Sequence, residues 1–338
     1  MRKLMIALMA IAIAISLSAC EDTTTEHEVF VTVYPLEYVV ERLFEGTPYT
    51  VGIVPGVTSH SSSVDWSPKE IIAMTKADFL FYVGANYDQY IDLQINSIFQ
   101  GKDVELVKLE SNPDYITFIL GVVHDHDHDH DHEDEETTTT TTTTEPTEPV
   151  TMLGYDPHFW ISPLRVKQAA TLIYDKLVVK YPEYEDAIAD NYDELVDDLD
   201  TLGAAFLETI GAQAKPIMTS TNIYGYLRED YGLTYISISP GYHEETEQFT
   251  SAEKEAIVAE AVEFDIHHII YERNVSSPLS NAVFDALVAL ELNPLKLEYD
   301  ILQMLRNQDR ENGDDYLSVM YKNLELIESA TTIESEQE

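Results

Sequence analysis

Basic residues are scarce in this chain. Its 19 lysines and arginines stand against 62 aspartates and glutamates, a formal net charge of −43 over 338 residues. A surface of this kind repels phosphate backbones and anionic lipid and attracts cations, which argues against a nucleic-acid partner. Cysteine is almost absent: Cys20 is the only one, so no intrachain disulfide can staple the fold. Nor does the N-terminus offer a comfortable membrane span, because its apolar run, residues 4–15, is too short. The length suits two lobes of ordinary domain size.

What is present at the N-terminus is a secretory pattern. Arg2 and Lys3 precede the apolar run, and small residues follow in Leu17-Ser18-Ala19-Cys20. That ending resembles the bacterial lipobox, in which the cysteine is lipidated and becomes the first residue of the mature protein. Residues 1–19 are therefore expected to be a signal peptide, and polar residues 20–27 a lipidated tether.

Further along, His124, His126, His128, His130 and His132 alternate with four aspartates and run into the acidic residues 133–136. Imidazole and carboxylate both bind divalent ions, and imidazole suits zinc, copper or nickel. Alternation in an extended chain puts the histidines on one side and the aspartates on the other. Eight threonines and a Glu-Pro-Thr-Glu-Pro run follow, so residues 122–149 read as a disordered insert that gathers ions without a fixed geometry. Such gathering fades as pH falls through about 6.5, because imidazole must be neutral to ligate.

The rest alternates strands and helices. Strands are predicted at residues 28–34, 49–54, 78–83 and 104–109. Helices are predicted at 35–44, from Pro68 with Ser67 as cap, and at 87–98. Tyr184, Ile188, Tyr192, Leu195, Leu199, Leu202, Phe206 and Ile210 then recur at helical spacing, one apolar stripe on a helix about 40 Å long. Alternation resumes with strands at 216–219, 233–239, 266–272 and 291–292 and helices at 222–231, 251–264, 278–290 and 315–329. The fold class is α/β: two βα-repeating lobes joined by a long backbone helix, with a cleft between them. The expected division is a first lobe at 28–163, linking helices at 164–212, a second lobe at 213–332 and a disordered tail at 333–338.

His60, in a loop with Pro55 and Gly56 after a predicted strand, and His158, in Asp156-Pro157-His158-Phe159-Trp160, lie where α/β folds place ligands. At this point the chain resembles the metal-specific solute-binding lipoproteins of ABC importers, the zinc- and manganese-binding group. The resemblance covers nearly all of the mature chain. It is carried by Val33-Tyr34-Pro35-Leu36, by Val54-Pro55-Gly56-Val57 followed by His60, and by Ser67-Pro68 leading into Ala77-Asp78. Most specific is Gly154-Tyr155-Asp156-Pro157-His158-Phe159-Trp160. Tyr224-Gly225-Tyr226, Glu272-Arg273-Asn274-Val275-Ser276, Leu292-Asn293-Pro294-Leu295 and Asp315-Tyr316-Leu317 complete it.

The resemblance implies one ion in the cleft, held by both lobes, with His60 and His158 as the first-lobe ligands. A His-rich acidic insert marks the zinc branch. Two departures stand out. Thr221 occupies the place of the family's third ligand, a histidine or glutamate, and the fourth, a carboxylate, falls near Asn293. His243 and Glu272 are the compensating candidates in the second lobe. His267 and His268 begin the strand that Glu272 ends and are read as structural.

The implied function is that of a monomeric lipoprotein at the outer face of the cell membrane, at the cell surface or in a periplasm. It delivers a divalent ion to an ABC permease and its ATPase and catalyses no reaction. Histidine-rich capture favours zinc, and oxygen donors in place of a histidine favour manganese. The rival classes are an enzyme with a zinc-activated water, which needs a base and a substrate pocket, and a surface metal buffer or adhesin without a transport role.

Overall fold

The computed structural model describes residues 26–57, 64–121, 154–244 and 250–331. Two four-stranded, all-parallel sheets organise them. The first has the order β2 (Val51–Ile53), β1 (Val29–Val31), β3 (Phe79–Tyr82), β4 (Glu105–Lys108), and the second β6 (Tyr235–Ser237), β5 (Ile217–Thr219), β7 (His268–Glu272), β8 (Leu295–Tyr299). No helix among the described residues is long and apolar enough to cross a membrane.

In the first lobe, β1 (Val29–Val31) leads into α1 (Tyr34–Leu43), β2 (Val51–Ile53), α2 (Pro68–Lys76) and β3 (Phe79–Tyr82). Next come α3 (Gln89–Gln94), a π-helical turn at Ile95–Phe99 and β4 (Glu105–Lys108). The first strand ends earlier than its apolar pattern suggests, because Pro35 fits the first turn of a helix that already begins at Tyr34. Ser67 caps α2 as expected: its hydroxyl accepts from the Glu70 amide, and the Glu70 carboxylate accepts from the Ser67 amide, a reciprocal capping box.

Buried strands with no polar face need cover on both sides. Period two divides the labour in β3. Phe79 and Phe81 face the main core, while Leu80 and Tyr82 join Phe30, Met74 and Ile91 on the outer face.

Two helices then cross between the sheets: α4 (Pro163–Lys180) and α5 (Glu185–Gly211). The stripe read from the sequence is the buried face of α5, where Ile188, Leu195, Leu199, Leu202, Phe206 and Ile210 are all covered. This helix packs on α4 and α1, and also on α6 and α10 of the second lobe, so it bridges the lobes. One continuous core runs from Val29 through α4 and α5 to Ile327.

The second lobe repeats the plan with β5 (Ile217–Thr219), α6 (Gly225–Tyr231), β6 (Tyr235–Ser237), α7 (Ser251–Glu263), β7 (His268–Glu272) and α8 (Pro278–Ala289). It closes with β8 (Leu295–Tyr299), α9 (Asn307–Glu311) and α10 (Tyr316–Thr331).

One predicted strand is misplaced. Residues 291–292 form no strand, because Glu291 and Asn293 adopt positive φ of 66° and 45° and turn the chain. The strand starts only after Pro294, at Leu295, which pairs with His268.

Candidate metal centre

In each sheet the strand order reverses between two central strands, β1 and β3 in the first and β5 and β7 in the second. Loops leaving the carboxyl ends of such a pair diverge and open a crevice, the usual place for a ligand. In the first lobe Asp88 holds this point together. It accepts from the Thr32 hydroxyl (2.7 Å) after β1 and from the amides of Val83 (2.7 Å) and Gly84 (2.8 Å) after β3. In the second lobe the corresponding residues are Thr221, just beyond β5, and Glu272, the last residue of β7.

Thr221 and Glu272 are 1 % and 4 % exposed, and the Thr221 hydroxyl donates to the Glu272 carboxylate. Burial pushes the Glu272 carboxyl above its ordinary range. The Thr221 hydrogen bond and the nearby His158 imidazole pull it down, and Glu244 adds to the upward push. A buried carboxylate in this position favours a cation beside it.

His158 comes from the first-lobe side, at the entry to a 3₁₀ turn (Phe159–Ile161) that runs into α4. It is 1 % exposed. Asp156 Oδ1 accepts both the His158 backbone amide (2.9 Å) and ring Nδ1 (2.9 Å), which fixes the ring and its tautomer. An ion bound by this ring would then be held through Nε2. The Asp156 carbonyl in turn accepts from the Tyr226 hydroxyl of α6 (2.7 Å), so a second-lobe residue helps to set the segment.

The donor chemistry suits zinc or manganese: the first-lobe side offers a carboxylate-oriented imidazole and the second lobe a buried carboxylate. Among the described residues, however, no group of three or more His, Cys, Asp or Glu side chains converges to hold an ion. His60 lies outside the described residues, as do His124, His126, His128, His130, His132 and Cys20.

His243 is exposed, and the structure does not bring it together with His158 and Glu272. Its neighbour Tyr242 meets His158 instead, with ring centroids 4.9 Å apart. His267 bonds Asp265 (2.8 Å) at the start of the β7 segment, and His268 is buried in that strand, far from its Glu272 end.

The placement of a fourth ligand near Asn293 is corrected. Asn293 precedes β8, at the end of the sheet opposite Glu272, and its amide bonds the Glu291 carbonyl. In the β7–β8 register Glu272 pairs with Tyr299, so the carboxylate next to the cleft end is Asp300. Asp300 is bound to Arg273 (2.8 Å) and lines a cavity of about 340 Å³ with Asp309, Asp314 and Lys322. Those carboxylates already hold Arg306 and Lys322, so the cavity is an ion-pair network.

With this geometry in place, comparison decides the lineage. Residues 29–330 match the sequence model of the zinc-uptake complex component A, periplasmic (ZnuA). The chain belongs to this family. Zinc-binding lipoprotein AdcA of Streptococcus pneumoniae is 33 % identical over 181 residues, covering 52 % of this chain and 34 % of AdcA. Zinc-binding protein AdcA of Streptococcus pyogenes is 28 % identical over 338 residues, 98 % of this chain and 61 % of that protein. The chain thus spans between a third and two thirds of the length of these relatives. The ZnuA fold is shared with the crystal structure of the Zn(II)-bound ZnuA-like domain of S. pneumoniae AdcA. That domain has a TM-score of 0.63 and 21 % identity, covering 91 % of this chain and 99 % of the domain.

Proposed function

We propose that this ZnuA-family chain is an extracytoplasmic binding protein that captures one zinc ion between its lobes and hands it to an ABC permease. No reaction is catalysed in this reading. The observation that carries it is a buried His158 imidazole held by Asp156 on the first-lobe side, together with the buried Thr221–Glu272 pair at the second-lobe switch point. The ligands are His158 and Glu272, with His60 as the third. His243 remains the alternative second-lobe donor. Named zinc-binding relatives, one aligned along 98 % of the chain and one along 52 %, support zinc as the cargo.

The His-rich insert acts as a collector and Cys20 as the lipid anchor. One acyl chain holds a membrane only marginally, so firm attachment needs several chains on this residue. Cys20→Ser is expected to move the protein from the membrane to the soluble fraction; unchanged fractionation rules the anchor out.

Calorimetric zinc titration of the mature chain, with and without residues 124–136, tests the cargo and the collector. The deletion is expected to lower stoichiometry while one tight ion stays bound. If all tight binding disappears with the insert, the chain is a metal buffer. If manganese binds the remaining site more tightly than zinc, the cargo is manganese.

A further inference from the structure

The second lobe reaches His158 through a loop that is anchored at both ends. On one side Asn222 donates its amide to the Gly241 carbonyl (2.8 Å) and its side chain to the Pro240 carbonyl (3.0 Å). The Ser239 hydroxyl donates to the His243 carbonyl (2.6 Å). On the other side the Glu244 carboxylate accepts from the amides of Leu279 (2.7 Å) and Ser280 (3.1 Å), capping the first turn of α8. A carboxylate at a helix N-terminus satisfies orphan donors and meets the positive end of the dipole, so the anchor is firm.

Between the anchors stands Tyr242. Its ring meets the His158 ring edge-on, at 4.9 Å and 65°. Its hydroxyl lies over Gly121, where a Cβ would fall 2.8 Å from that oxygen and 2.9 Å from the Tyr155 carbonyl carbon. Gly121 donates to the Gly154 carbonyl (3.1 Å), and Leu120 bridges to Tyr155. Tyr242 therefore spans from the second lobe to the two bridged first-lobe segments beside His158.

We infer that Tyr242 is a positioning residue that controls metal exchange: its ring shields His158 from solvent, and the ion enters or leaves when that ring moves aside. This rests on the assignment of His158 to the ion site. The contact with His158 is made by the ring, and the hydroxyl lies against Gly121. A barrier that slows entry and exit alike changes rates more than affinity.

Release of zinc from the full chain to a chelator, followed by stopped flow, tests this. The slow phase is assigned to the cleft by its loss in His158→Ala. Tyr242→Ala is expected to speed that phase about tenfold and to speed uptake similarly, leaving the dissociation constant within about threefold. Tyr242→Phe keeps the ring and is expected to release within about twofold of the unsubstituted chain. A release rate in Tyr242→Ala within that same margin overturns the inference, as does a Tyr242→Phe rate equal to that of Tyr242→Ala. If the unsubstituted chain itself shows no slow phase, the zinc-site reading fails instead.

Discussion

Replacing His158 with alanine is expected to lower zinc affinity at the cleft by more than about a hundredfold. Loss of a group that merely orients a metal-bound histidine costs roughly 10–100-fold, and loss of the histidine itself costs more. His158 is fully covered and its ring is fixed through Nδ1, so its loss removes a donor that is already oriented. Asp156→Asn keeps an acceptor for the ring but removes the charge behind it, and is expected to fall in the 10–100-fold range. Glu272→Gln should weaken binding by a similar or larger factor, whereas His243→Ala should leave it nearly unchanged. Competition titration against a zinc chelator, in a chain lacking residues 124–136, reads all four. An unchanged affinity in Glu272→Gln with a loss in His243→Ala would return the second-lobe ligand to the 243 loop.

The parts of this arrangement that local patterns determine were legible in the sequence. The α5 stripe, the Ser67 cap and the apolar β3 run depend on neighbours within a few residues, and the structure agrees with each. So does the α/β class, because parallel sheets follow from strands that alternate with helices. The β8 start was missed because Leu292 looks like strand, while the turn that precedes Leu295 depends on two positive-φ residues without glycine. At the site, the sequence singled out Thr221 as an unfilled ligand position and Glu272 as one of two substitutes. That the two touch follows from strands β5 and β7 being adjacent, a pairing across some fifty residues that no local pattern encodes. The 243 loop shows a different limit. Histidine is the better ligand by chemistry, yet the chain's phase turns Tyr242 toward His158 and leaves His243 exposed.

A buried ion pair ties the segment that carries His158 to the second lobe, and this gives the second large expected effect. Arg165, on the first turn of α4, grips Asp230 of α6 through Nε (2.9 Å) and a terminal nitrogen (2.5 Å), and donates to the Thr117 carbonyl (2.8 Å). Asp230 also accepts from the Ser162 hydroxyl (2.6 Å), and its side chain is 3 % exposed. The pair thus ties the segment after His158 to the helix after Thr221. Arg165→Ala leaves the carboxylate buried without its counter-charge, and unfolding free energy is expected to drop by about 3–5 kcal/mol. Arg165→Lys supplies charge but not the fork, and should recover only part of this. The double variant Arg165→Ala/Asp230→Ala is expected to lose less than the two single losses added together, because the stranded charge is gone. Urea denaturation of the unsubstituted chain, Arg165→Ala, Asp230→Ala and the double variant measures the coupling. Strict additivity would mean that the pair is solvated in solution. In that case the separation of His158 from Glu272 is set by the α5 packing alone, and Arg165→Ala should leave zinc affinity untouched.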